Sequence, residues 1–155
     1  MNHSNGTYVS MGVSWYSRQL IDDFSIRILQ LRDRVESHTL HTTVVYSRTP
    51  VPWAEYLDPT LNVVAEPVRY EIFPTHEGTP CLVLLVESAE LRDLNQMLTH
   101  CGATSDYPQY NPHLTLSYNF TGSIDGLPLF PQSILYDVVT VEPLDEEYIP
   151  QSAET

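Results

Sequence analysis

The chain has 155 residues, 42% of them hydrophobic, and carries 20 acidic against 7 basic side chains for a formal net charge of −13. That length predicts one domain, here taken over residues 1–155, and the hydrophobic share predicts a packed core. Every basic residue is an arginine, so the basic stripe that grips long DNA or RNA is missing, and an anionic membrane surface is disfavoured for the same reason. A small ligand with two or three phosphates stays compatible, because local donors outweigh a repulsive far field. The longest apolar run, Cys81 to Val86, spans six residues, where a membrane helix needs about 20. Met1 to Gly6 has neither a basic nor an apolar region, so no secretory signal is expected.

In chain order, Val9, Met11 and Val13 alternate with Tyr8, Ser10 and Ser14, the period of a half-buried strand. Ser14 or Ser17 then caps a helix whose apolar stripe is Leu20, Phe24, Ile28, Leu31 and Val35. A second strand follows over His41 to Tyr46. Pro50, Pro52 and Pro59 exclude regular helix from the connection after it. Leu61 to Phe73 reads as one or two strands interrupted by Pro67. Cys81 to Val86 is a buried strand, and the helix from Ser88 sets Leu91, Leu94, Leu98 and Cys101 on one face before stopping at Gly102. A Tyr/Pro/Asn loop leads into the strand His113 to Tyr118, and Ile134 to Glu142 forms the last strand. The tail 150–155 is polar and expected to fray.

Tyr8 lies 33 positions before His41, and Cys81 lies 32 before His113. Each half is therefore strand, helix, strand, ending in a strand that opens His-x-Thr. This predicts an α+β fold made by internal duplication, with lobes around 7–46 and 81–118 and a central cleft. Alternation puts His41 with Thr43 on one face, and His113, Thr115 and Ser117 on another, with Leu114, Leu116 and Tyr118 opposite. Two imidazoles and two hydroxyls around one space suit phosphodiester cleavage without a metal. One neutral His accepts a proton from the attacking oxygen, one protonated His supplies the leaving oxygen, and the threonines donate to the phosphate oxygens.

Other features support no separate chemistry. Asp22-Asp23 and Asp145-Glu146-Glu147 are read as solvated surface, Cys81 and Cys101 as buried free thiols. Neither His-Glu-x-x-His nor Cys-x-x-Cys occurs, so no zinc and no cofactor are expected. Arg48 either reaches a phosphate or forms an exposed ion pair.

Paired His-x-Thr strands in a duplicated α+β domain resemble the 2H phosphoesterase superfamily. Within it, the stretches His41 to Arg48, Asn111 to Tyr118 and Glu142 to Glu146 resemble the phage anti-CBASS nucleases, over nearly the whole chain from Tyr8 to Tyr148. The resemblance implies a hydrolase of the host cytoplasm that degrades cyclic di- and trinucleotide defence signals such as 3′,3′-cGAMP. It implies His41, Thr43, His113 and Thr115 as the catalytic tetrad. It also implies Tyr8, Glu142 and Tyr148 as nucleobase contacts, with Tyr148 standing where the family usually has Trp. The alternatives are an RNA-end 2′,3′-cyclic phosphodiesterase, which the charge opposes, and a sponge that binds a cyclic nucleotide uncut. The oligomeric state is left open.

Overall fold

The computed structural model describes residues 5–75 and 77–144; the tail 150–155 lies outside them. Eight main elements follow in order: β1 (Thr7–Val13), α1 (Trp15–Arg27), β2 (His41–Ser47), β3 (Val63–Pro74), β4 (Pro80–Glu87), α2 (Ala89–His100), β5 (His113–Ser117) and β6 (Ile134–Pro143). Short 3₁₀ turns occupy Ser37–Thr39 and Pro52–Tyr56. The second lies in the proline-bearing connection, with Pro52 at its start, where a missing N–H costs nothing.

The strands form one antiparallel sheet in the order β2-β1-β6-β3-β4-β5. The order is a palindrome of the duplication: β1 lies between β2 and β6, and β4 between β5 and β3. The halves join where Val63, Val64 and Ala65 of β3 pair with Tyr136, Leu135 and Ile134 of β6. From Glu66 onward β3 pairs with β4 instead. Pro67 does not end β3; it sits beside a bulge at Pro67–Arg69, where a residue without an N–H does not break the ladder.

The apolar alternation of β1 goes into the core, where Val9 and Met11 are fully buried beside Val44, Leu82, Leu84, Leu114 and Tyr136. Helix α2 packs here through Leu91, Leu94 and Leu98, as its periodicity predicts; Cys101 is exposed and leaves that face. Helix α1 differs more. It ends at Arg27, and the buried face is Ser17, Ile21 and Ser25, with Leu20 and Phe24 only partly covered and Ile28 exposed. Gln30 and Asp33 adopt positive φ, so the chain turns twice. Leu31 and Val35 reach the core from an irregular segment that continues the apolar spacing without continuing the helix.

The small serines bring α1 close to the sheet. Leu135 N–H donates to Ser17 Oγ at 3.0 Å, and Ser14 N–H donates to Leu135 O at 2.8 Å. Ser14 and Ser88 are the N-caps of α1 and α2, their hydroxyls accepting from Ser17 N–H and Leu91 N–H. Both caps follow the same strand of their repeat.

Candidate active site

The duplication extends to the backbone irregularities of the two His-x-Thr strands. In β2, Gly12 faces His41 and Ser10 faces Thr43, but Val9 faces Val45, so Val44 is the extra residue of a bulge. In β5, Leu85 faces His113 and Val83 faces Thr115, but Leu82 faces Ser117, so Leu116 is extra. Each bulge falls on the third residue after the histidine. Bulges re-aim side chains beside functional sites. Here they turn two successive residues inward, Val44-Val45 and Leu116-Ser117, all buried.

This corrects one expectation from strand alternation. Ser117 does not share the face of His113 and Thr115; its hydroxyl donates to Arg32 O at 2.6 Å. The bulge in β2 has the converse effect. It returns Tyr46 to the face of His41 and Thr43, opposite Tyr8, and their rings meet edge-on at 6.0 Å.

The two histidines are held alike. His41 Nδ1 lies 2.8 Å from Thr39 O, and His113 Nδ1 lies 3.0 Å from Asn111 O, two residues back in each case. A carbonyl only accepts, so Nδ1 carries the proton, and in the neutral ring Nε2 is the basic nitrogen. Each carbonyl is set by its local chain. Thr39 belongs to the 3₁₀ turn closed by Thr39 N–H on Glu36 O. Asn111 precedes Pro112, which holds it extended. The next carbonyls are fixed in parallel, Leu40 O by Val13 N–H and Pro112 O by Val86 N–H, both at 3.0 Å.

The motifs are joined through Thr42, between His41 and Thr43. Its hydroxyl, fully buried, donates to His113 O at 2.9 Å. That commits its proton, so the buried Tyr136 hydroxyl, 2.7 Å away, donates to Thr42 in turn. Burial pushes Tyr136 above the ordinary tyrosine pKa, which keeps this donor protonated. Tyr110 braces the same strand by donating to Thr43 O at 2.8 Å. Burial pushes its pKa up as well.

A cavity of about 700 Å³ opens on the outer face of β1 and β6. Its wall includes Tyr8, Ser10 and Gly12 of β1, His41 and Tyr46 of β2, and Thr140 and Glu142 of β6. Of the seven site residues expected from sequence, Tyr8, His41 and Glu142 line it, with Tyr8 and Glu142 paired across β1 and β6. Thr43 lies buried against it, its hydroxyl 2.9 Å from that of Tyr8. His113 and Thr115 are not part of this wall. They sit on β5 across the Thr42 link, with the His113 ring edge-on to Phe73 at 4.9 Å. Tyr148 lies outside the described residues.

Sequence reasoning missed Tyr46, Tyr110 and Phe73. The repeat held a signal for Phe73: it pairs with Cys81, the counterpart of the Tyr8–Glu142 pair in the first half. Arg48, left open between two roles, takes the ion pair: its guanidinium holds Asp106 in a fork, with Nε at 2.9 Å and Nη2 at 2.8 Å. It also lies over the Tyr46 ring at 5.5 Å.

Comparison with known proteins agrees with this frame. Among solved structures, the protein TT0787 of Thermus thermophilus superposes with a TM-score of 0.57 at 15% identity, covering 87% of this chain and 86% of its own. Apo LigT of E. coli gives 0.52 at 14% identity, covering 90% and 87%. The fold is thus that of the 2H phosphoesterases. The anti-CBASS protein Acb1 of Enterobacteria phage T4 is 32% identical over 147 residues, covering 94% of this chain and 87% of the relative. The family model described as anti-CBASS protein Acb1 matches residues 5–151. With a match of that extent, the chain belongs to the anti-CBASS protein Acb1 family.

Proposed function

We propose that the protein is a metal-independent phosphodiesterase that opens 3′–5′ bonds of cyclic di- and trinucleotide signals such as 3′,3′-cGAMP, and so disables CBASS defence in the cytoplasm of an infected bacterium. The observation that carries this reading is the twin presentation of His41 and His113: the same backbone bond at Nδ1 and the same bulge three residues on. A structural histidine has no need of a matched partner in the other half.

In this mechanism Nε2 of one histidine takes the proton of a ribose 2′-hydroxyl as its oxygen attacks the adjacent phosphorus in line. Nε2 of the other protonates the departing 5′-oxygen. The product carries a 2′,3′-cyclic phosphate, which water opens to a 3′-phosphate with the two roles exchanged. Thr43 and Thr115 donate to the non-bridging oxygens, where charge builds. Tyr8, Glu142 and Tyr148 hold the bases: aromatic faces by stacking, and the carboxylate by accepting from an exocyclic amine.

The test is incubation in EDTA with 3′,3′-cGAMP and, separately, with a short RNA ending in a 2′,3′-cyclic phosphate, followed by mass analysis. We expect a linear dinucleotide ending in a 3′-phosphate, a bell-shaped pH profile, and a loss of about 10²–10⁴-fold in His41→Ala and in His113→Ala. Turnover of the RNA end alone overturns the substrate; activity restored only by a divalent ion overturns the metal-free mechanism. Undiminished biological effect in His113→Ala identifies a sponge.

A further inference from the structure

The cavity has a second end, on the His41 side, whose helix-borne residues the mechanism above does not use. Tyr8 and Glu142 mark one end; four residues along β1, about 13 Å at strand rise, Gly12 and Val138 mark the other. There the chain passes into α1, and Trp15 and Arg18 line the wall. They are three apart on the helix and so share a face. Trp15 is 66% exposed, and among the described residues no ring or cation stacks on it. An indole left in water at a cavity mouth is a large apolar surface awaiting a flat partner.

Arg18 gives an independent observation. Its Nε is buried without a hydrogen-bond partner, and among the described residues its guanidinium has no ion pair. Arg27, Arg48, Arg69 and Arg92, by contrast, each hold a carboxylate. A buried donor left unmade costs about 1–3 kcal/mol, and a ligand acceptor removes that cost. The same wall carries the acidic Asp137 and Glu142, in a chain of net charge −13. An anion settles in such a cavity only beside a fixed cation, and Arg18 supplies one.

We infer that Trp15 and Arg18 form a second nucleotide subsite, Trp15 stacking a base and Arg18 donating to that nucleotide's phosphate. The inference rests on the cyclic-nucleotide reading, and it explains how one molecule spans both ends of the cavity. Neither residue touches the reacting bond; both set affinity and substrate choice.

The experiment titrates the protein with the 2′-deoxy analogue of 3′,3′-cGAMP, which has no attacking hydroxyl, while following tryptophan emission. Turnover of 3′,3′-cGAMP itself is measured in parallel. The chain has two tryptophans, Trp15 and Trp53. Wild type should show a saturable change that disappears in Trp15→Phe. Trp15→Ala and Arg18→Gln should each raise the KM for 3′,3′-cGAMP about tenfold or more with kcat within a few-fold. Arg18→Lys should recover part of that loss, which separates a lost cation from a damaged fold.

A change that persists in Trp15→Phe arises from Trp53 and overturns the subsite, as does an unaltered KM in both variants. Turnover by wild type without any emission change overturns the subsite and leaves the enzyme. An emission change at Trp15 without turnover keeps the subsite and overturns the enzyme.

Discussion

Removing the Thr42 hydroxyl by Thr42→Val tests whether the two His-x-Thr strands are held by one buried polar link. In the native protein Tyr136 O–H donates to Thr42 Oγ1 at 2.7 Å, and Thr42 donates to His113 O at 2.9 Å. Tyr136 and Thr42 are both wholly buried. Valine keeps the volume but deletes both bonds and strands the Tyr136 hydroxyl without its acceptor. Two net hydrogen bonds at about 1 kcal/mol each, plus an orphaned buried donor at about 1–3 kcal/mol, give a loss of about 3–5 kcal/mol. For a chain of this size that lowers Tm by about 6–20 °C. The assay is thermal and denaturant unfolding of Thr42→Val, Tyr136→Phe and the double variant. The double variant should be clearly more stable than the sum of the single losses predicts, because with both hydroxyls gone no donor is stranded. Simple additivity, or a Thr42→Val loss below about 0.5 kcal/mol, refutes the link.

Ser88→Ala removes a cap from α2 and the hydroxyl that donates to Val64 O at 2.7 Å. The expected loss is about 2 kcal/mol by denaturant unfolding, and Ser88→Asp, which caps but does not donate, should fall between. Asp106→Asn breaks the exposed fork with Arg48 and should change stability by less than about 1 kcal/mol, with turnover unaltered. In alkali, burial raises Tyr70 from 10.0 to about 12 and pushes Tyr110 and Tyr136 up too. The unfolded chain therefore loses these protons first, so their contribution is full below about pH 10 and declines as pH rises towards 12 and beyond. Absorbance at the tyrosinate band should accordingly rise in two stages, the buried group only together with loss of far-UV dichroism; a single stage without unfolding would contradict that assignment.

Much of this architecture is written in local pattern. The alternation in β1, the continuous apolar run of β4 and the caps Ser14 and Ser88 identify their elements because each is a short-range preference. Helix α1 shows the limit of such reading. Leu31 and Val35 continue an apolar spacing, yet the chain turns at Gln30 and Asp33, and the closest packing is made by serines that hydropathy ranks as surface. The bulges at Val44 and Leu116 have no compositional mark, so the true face of Ser117 and of Tyr46 followed only from strand register. The His and Thr pairs were legible because they recur. Trp15 and Arg18 occur once, and only the fold sets them on the cavity wall.

The ends of the sheet order are β2 and β5, the strands that carry both motifs. An outermost strand offers bare backbone groups to any chain that approaches. Here those groups are already engaged from the side: His113 O by Thr42, Thr43 O by Tyr110, and Val44 O by Asn95. Prising the halves apart would uncover two sticky borders at once and invite self-association. Ligands are therefore best admitted through the mouth of the cavity, and any variant that loosens Thr42, Asn95 or Tyr110 should show its defect first as aggregation during expression.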